Sequence, residues 1–191
     1  MAVSTIDQTG LSAPLSLTSP TLSSPTISGT PTGVGVLTSG TVQNSTSGTN
    51  IDFTGIPSWV KRITVMFNGV STTGTNNPQI QLGTGATPTY TSSGYACNYS
   101  LQGSTSISTA SASTGFVCIG PSNAAAVSSG QVTLTNISGN NWVETGQVAE
   151  TSGSRITSSA GVIALGAVLT AVRVNVPTDT WDAGSINILY E

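Results

Sequence analysis

The clearest hydrophobic pattern in the chain is in Trp59–Val70, WVKRITVMFNGV, where Ile63, Val65 and Phe67 alternate with Thr64, Met66 and Asn68. A period of two puts successive side chains on opposite faces of a strand, so this segment predicts a core strand with one face buried. The same period returns in Leu169–Val176, with Val172, Val174 and Val176 on one face and Arg173 and Asn175 on the other. It returns again in Ser185–Tyr190, where Ile186, Ile188 and Tyr190 face one way, and this last strand is expected to be integrated into a sheet. Shorter runs at Asn50–Phe53, Gln79–Leu82, Tyr95–Leu101, Gly115–Gly120 and Ala160–Leu165 predict further strands. Gln131–Ile137 and Trp142–Ala149 flank Ser138–Asn141, SGNN, whose Gly and Asn residues suit a hairpin turn with positive φ. Gly55–Pro57, Ser71–Asn77, Gly83–Pro88 and Pro177–Trp181 predict turns and loops, and the Ser/Thr-rich Gln102–Thr114 predicts a connection between strands. Ala124–Val127, the one helix-like run, is too short to nucleate a helix. About ten short strands with frequent turns predict an all-β fold, an antiparallel jelly-roll-like β-sandwich over residues 50–191.

The N-terminal quarter follows a different pattern. In Leu11–Thr32, LSAPLSLTSPTLSSPTISGTPT, prolines recur at Pro14, Pro20, Pro25 and Pro31, and single apolar residues stand among Ser and Thr. Proline fixes its own φ and pushes the preceding residue into an extended conformation, so the segment is extended rather than helical. Leu11, Leu15, Leu17, Leu22 and Ile27 would leave a narrow apolar stripe in water unless other copies of the same strand covered it. This predicts an intertwined oligomerisation stalk, against the alternative of a flexible Ser/Pro/Thr linker. Residues 11–49 are accordingly stalk and linker. Residues 1–10, polar and without periodicity, are expected to be ordered only by something else, as an anchoring peptide is.

Composition narrows the function. Charged residues make up 6% of the chain, far below the ~25% of an ordinary soluble domain, so solubility rests on Ser, Thr, Asn and Gly. The formal charge is −3, and Lys61, Arg62, Arg155 and Arg173 are the only cations. No basic patch is available for phosphates, which argues against nucleic acid and anionic membranes as partners. No segment has the form of a signal peptide or approaches the ~20 apolar residues of a membrane span, which predicts a chain made in a cytoplasm and not inserted in a membrane. Cys97 and Cys118 are then expected as buried free thiols; a disulfide requires their strands to pair.

Candidate chemistry is sparse. The absence of His removes Ser-His-Asp and Cys-His catalysis and the commonest metal ligand, and two lone cysteines make no zinc site. No cofactor is expected. Paired carboxylates are the one remaining catalytic option: Glu144 with Glu150, and Asp179 with Asp182 around Trp181, as cleavage of a polysaccharide would need. The Asp pair is read first as a turn whose carboxylates bond their own backbone, with Trp181 packed on the sandwich or on a neighbouring subunit; a calcium site there is a weaker signal. Trp59 and Trp142 each open a strand, where large rings seal the end of a sandwich. Lys61 and Arg62, adjacent in a strand, are expected on opposite faces, with a salt bridge to Asp52 or to another chain. Recognition is expected in the loops Ser71–Asn77, Gln102–Thr114 and Thr151–Ser159, with no single receptor-binding residue distinguished.

Ile51–Thr72, IDFTGIPSWVKRITVMFNGVST, and Asp182–Glu191, DAGSINILYE, resemble a module at the C-terminal end of many bacteriophage and prophage virion proteins, the head domain of short tail fibres and related spikes. SPTISGTPTG resembles the N-terminal segments of phage fibres and capsid decorations. The resemblance implies a homotrimer: an N-terminal virion anchor docked on phage tail or capsid proteins, a short threefold stalk, and jelly-roll heads around the axis. It also implies assembly into a virion made in a bacterial cytoplasm. No Gly-X-Y run is present, so a collagen-like triple helix is not available to this stalk. The function expected is a non-enzymatic short tail fibre whose head meets host surface polysaccharide or protein. A capsid decoration or head fibre is the rival within the same class, and a polysaccharide-cleaving fibre the rival outside it.

Overall fold

The computed structural model describes residues 37–191. The stalk positions Leu11, Leu15, Leu17, Leu22 and Ile27 lie outside the described residues. Among the described residues there is no helix, and the strands are β1 (Thr38–Ser39), β2 (Gln43–Asn44), β3 (Asn50–Thr54), β4 (Arg62–Thr72), β5 (Gln79–Thr84), β6 (Thr89–Tyr90) and β7 (Ala96–Gln102). They continue with β8 (Ile107–Ala112), β9 (Phe116–Val117), β10 (Ser128–Ser138), β11 (Asn141–Glu150), β12 (Ile156–Ala164), β13 (Leu169–Asn175) and β14 (Trp181–Tyr190). A nine-stranded sheet has the order β1-β14-β4-β10-β11-β12-β7-β8, with β2 also on β14. A five-stranded sheet has the order β3-β13-β5-β6, with β9 also on β5. Every pairing is antiparallel.

The alternation read in the sequence decides which faces meet. Ile63, Val65 and Phe67 of β4, Val132 and Leu134 of β10, and Ile186 and Ile188 of β14 point from the larger sheet into one continuous core. Phe53 of β3, Ile80 and Leu82 of β5 and Val172 and Val174 of β13 meet them from the smaller sheet. This is an antiparallel β-sandwich. Each such side chain contributes roughly 1.5–3 kcal/mol by leaving water. A slip of one residue in β4 would turn all three of its apolar side chains outward, so burial pins the register.

Two turns show how local chemistry ends or bends the strands. The β10–β11 hairpin closes through Gly139–Asn140, with Ser138 opposite Asn141 and Gly139 at φ +53°. Asn136 Nδ2 ties the turn by donating to the Gly139 and Asn141 carbonyls at 3.0 and 3.1 Å. Between β4 and β14 the register shifts twice beside Gly184, at φ +90°, where a β-carbon would strike the Gly69 carbonyl.

Several expectations are corrected. Residues 38–44, read as linker, pair with β14 at the edge of the larger sheet. Gly83 does not end β5; it stays in the strand because the Tyr90 ring fills the place of a side chain. Gln102–Thr114 is not simply a connection, since it contains β8. The loop expected at Thr151–Ser159 is shorter than read, because β12 begins at Ile156. Lys61 precedes β4 rather than lying in it, and Asp52 pairs with Arg173 of the neighbouring strand, not with Lys61 or Arg62.

Candidate functional site

The strands give the sandwich two distinct ends. Thr38 of β1 stands opposite Tyr190, and Tyr190 opposite Ile63, so the first described residues lie where β4 begins and β14 finishes. Trp181 stands opposite Thr72 at the other end of β4. Eleven residues at about 3.3 Å each separate the two ends by roughly 35 Å. At the Thr72 end, Ser128 of β10 lies opposite both Val70 and Glu150, and Ile156 of β12 lies opposite Gln102 of β7. The loop Thr73–Asn77, the turn Gly103–Ser106, the segment 120–127 and the turn 151–155 therefore gather at this one end.

The charged residues at this end are engaged in holding the loops. Asp179 accepts hydrogen bonds from Asn76 N at 2.8 Å and Asn76 Nδ2 at 3.0 Å. Glu150 accepts from Ser122 N and Oγ at 3.0 and 2.5 Å. Arg155 donates to the carbonyls of Gly120 and Pro121, each at 3.2 Å. Thr151 N donates to the Val127 carbonyl and Val127 N to Ser152 Oγ, both at 2.7 Å. The exposed residues of these loops are uncharged, Thr73, Thr75 and Asn76, Ser104–Ser106, Ser122–Ala125 and Thr151–Ser154, and the exposed charge at this end is Asp182, which accepts a hydrogen bond from Ser71 Oγ. The loops donate and accept hydrogen bonds through uncharged groups, which suits sugar hydroxyls or peptide groups.

The outer face of the larger sheet continues the same chemistry. A shallow depression of about 560 Å³ is lined by Gln131, Thr133, Thr145, Gln147 and Ser158 among others, and it meets a second of about 310 Å³ beside Asn98, Ser100 and Thr109. Gln147 and Gln102 both donate to Ser158 Oγ, at 3.2 and 3.1 Å, so these amides are already fixed in place.

The sequence-predicted carboxylates do not form a surface pair. Glu144 and Glu150 are both buried, on the inner face of β11, and six residues of strand put them about 20 Å apart. Glycosidase carboxylates stand roughly 5–9.5 Å apart. Asp182 accepts from Ser71 Oγ and Asp179 from Asn76, so both bond to the β4 end and the following loop rather than to their own turn. Trp181 between them is 1% exposed, packed in the core, and offers no platform for a sugar. Among the described residues no group of three His, Cys, Asp or Glu is placed to hold a metal.

The remaining candidates are structural. Trp142 is buried, whereas Trp59 is 45% exposed and tilts against Tyr190 with ring centroids 6.1 Å apart, at the end away from the loops. Lys61 Nζ donates to Asn136 Oδ1 at 3.3 Å, and Arg62 pairs with Glu191. Arg173 grips Asp52 with two hydrogen bonds of 2.7 and 2.8 Å and lies 3.9 Å above the Tyr90 ring. Burial, with the Asp52 charge, pushes the Tyr90 hydroxyl up to about 12. Cys97 and Cys118 are free and buried, and desolvation raises Cys97 to about 11 and Cys118 well above its usual value, so neither is a ready nucleophile.

Of the loops singled out in the sequence, parts of all three meet at the Thr72 end. Segment 120–127 is not among them, although Pro121, Ser122 and Asn123 are turn formers that mark it. No protein-family model, curated protein or solved structure matches the chain.

Proposed function

We propose that this chain is a phage virion structural protein, a short homotrimeric tail fibre. Its N-terminus docks on the particle, Leu11, Leu15, Leu17, Leu22 and Ile27 line the threefold stalk, and the sandwich is the head that meets the host surface. The observation that carries the reading is the separation of chain entry, beside Tyr190, from the neutral loop cluster at the Thr72 end. The loops lie at the end of the sandwich away from the place where the first described residues enter it. Strand order favours a jelly roll as the head: β2, β14, β4 and β10 are neighbours in one sheet and β3, β13, β5 and β9 in the other. The chain thus passes back and forth between the sheets as two Greek keys do, with β11, β12, β7 and β8 as an extension.

The test is competition for host adsorption by purified full-length chain. Wild-type protein is expected to block adsorption of the phage, and the double substitution Thr75→Lys with Thr105→Lys to weaken the block at least tenfold without changing the melting temperature. Equal blocking by both proteins would remove the loop cluster from the mechanism. Electron cryomicroscopy of particles without imposed symmetry separates the rival reading: density on the tail supports a fibre, and density over the shell makes the chain a capsid decoration.

A further inference from the structure

The described sandwich has four sheet edges, and three of them are blunted. β1 and β2 are two residues each and interrupted by Gly40–Val42; β6 and β9 are also two residues each. β3 carries Asp52, and Gly55 at φ +73° follows its end. Shortness, charge and kinks are the devices that keep an edge from pairing with another chain. β8 has none of them. Its six residues, ISTASA, run in unbroken register along β7 and contain no charge and no proline. Residues Ile107–Ser111 are exposed, and Ile107 is 72% exposed.

Its free groups can be assigned. Gly103 N donates to the Ser106 carbonyl at 2.8 Å, which makes that pair mutually bonded across the β7–β8 turn. Mutually bonded pairs recur every second residue in an antiparallel ladder, so Ser108, Ala110 and Ala112 bond β7. The N–H and C=O groups of Ile107, Thr109 and Ser111 point away from it. No charge lies in β7, β8 or β12, nor between Arg62 and Glu144 in the chain; Arg155, just before β12, turns its guanidinium onto the Gly120 and Pro121 carbonyls. Although each copy is formally −3, two copies can meet along this edge without opposing like charges.

We propose that β8 pairs antiparallel with β8 of a second copy of this chain about a twofold axis at Thr109. That register places Thr109 opposite Thr109 and Ile107 opposite Ser111, and it is the one that uses all the free groups of the strand. The larger sheets of two copies then join into one. The contact does not depend on the stalk or on the fibre reading.

The test uses the full chain with Thr109→Cys. Mutually bonded residues lie about 5.5 Å apart at Cα, within the span of a disulfide. Mild oxidation is expected to give a covalent pair of chains on a non-reducing denaturing gel, while Thr75→Cys, exposed at the loop end, gives none. Thr109→Pro removes a free N–H without touching the β7 ladder and is expected to halve the mass seen by light scattering. Absence of the covalent pair, or equal cross-linking by Thr75→Cys, overturns the proposal even if the proline variant fails to fold. So does an unchanged mass for a folded Thr109→Pro protein, as when β8 is free or covered by the chain's own N-terminal segment.

Discussion

Glu144 sits on the inner face of β11, 3% exposed, where Ser159 Oγ donates to Oε1 at 2.7 Å and Oε2 has no partner. Desolvation raises its carboxyl from 4.5 to about 7, against a smaller lowering by the Ser159 bond. An acid that holds its proton more tightly when folded stabilises the fold fully below its unfolded value. That stability is lost as pH rises from about 4.5 through about 7, and the loss then levels off. At roughly 1.4 kcal/mol per unit, the cost above neutrality is on the order of 3 kcal/mol. Glu144→Gln keeps the shape and an acceptor for Ser159 but cannot ionise. Its stability relative to wild type is therefore expected to rise across this window, as denaturant titrations at pH 4 and pH 8 would measure; equal differences at both pH values would contradict it. The sequence displayed Glu144 as an acidic residue in a strand, but its burial depends on which side of β11 the other sheet covers.

At the scale of elements, the bends are set by glycine and by close backbone approach. Gly184 lies at φ +90° with the Gly69 carbonyl where a β-carbon would go, whereas Gly139 lies at φ +53° in open space. Gly139→Ala is expected to cost about 1 kcal/mol from backbone strain alone. Gly184→Ala adds a collision across the β4–β14 ladder and is expected to cost about 2–4 kcal/mol. Thermal unfolding of the two variants distinguishes them, and equal losses would show that the ladder shifts freely. The hairpin around Gly139 and the core strands were legible because turn residues and apolar alternation are local. β8 was not legible, because Ser108 and Ala110 on its inner side are exposed and no alternation was needed. Lys61 was misplaced for a related reason: β4 starts at Arg62, and nothing in the local sequence fixes that boundary.

For the whole molecule, the described residues fall within one compact unit. On the proposed fibre reading, removal of Met1–Thr32 is expected to leave a cooperatively unfolding sandwich with an unchanged melting temperature, yet to abolish incorporation into particles. Truncated protein on purified virions at normal copy number would refute this, and so would loss of cooperative unfolding. The arrangement of chain entry and loops at opposite ends is a property of strand directions taken together. It was not available from loop composition, which gave Ser71–Asn77 and Thr151–Ser159 the same character but not their shared end.

The amino-acid sequence by itself determined the class of fold, the main core strands, the β10–β11 turn and the exclusion of histidine chemistry. Each of these follows from residue type or from neighbours a few positions apart. Only the tertiary structure decided that Asp52 meets Arg173 across 121 positions, that Trp181 is sealed in the core, and that β8 is left as an unblunted edge. Those outcomes depend on which strands become neighbours, and hydrogen-bonded pairing of backbones carries no mark in the side chains of either strand alone.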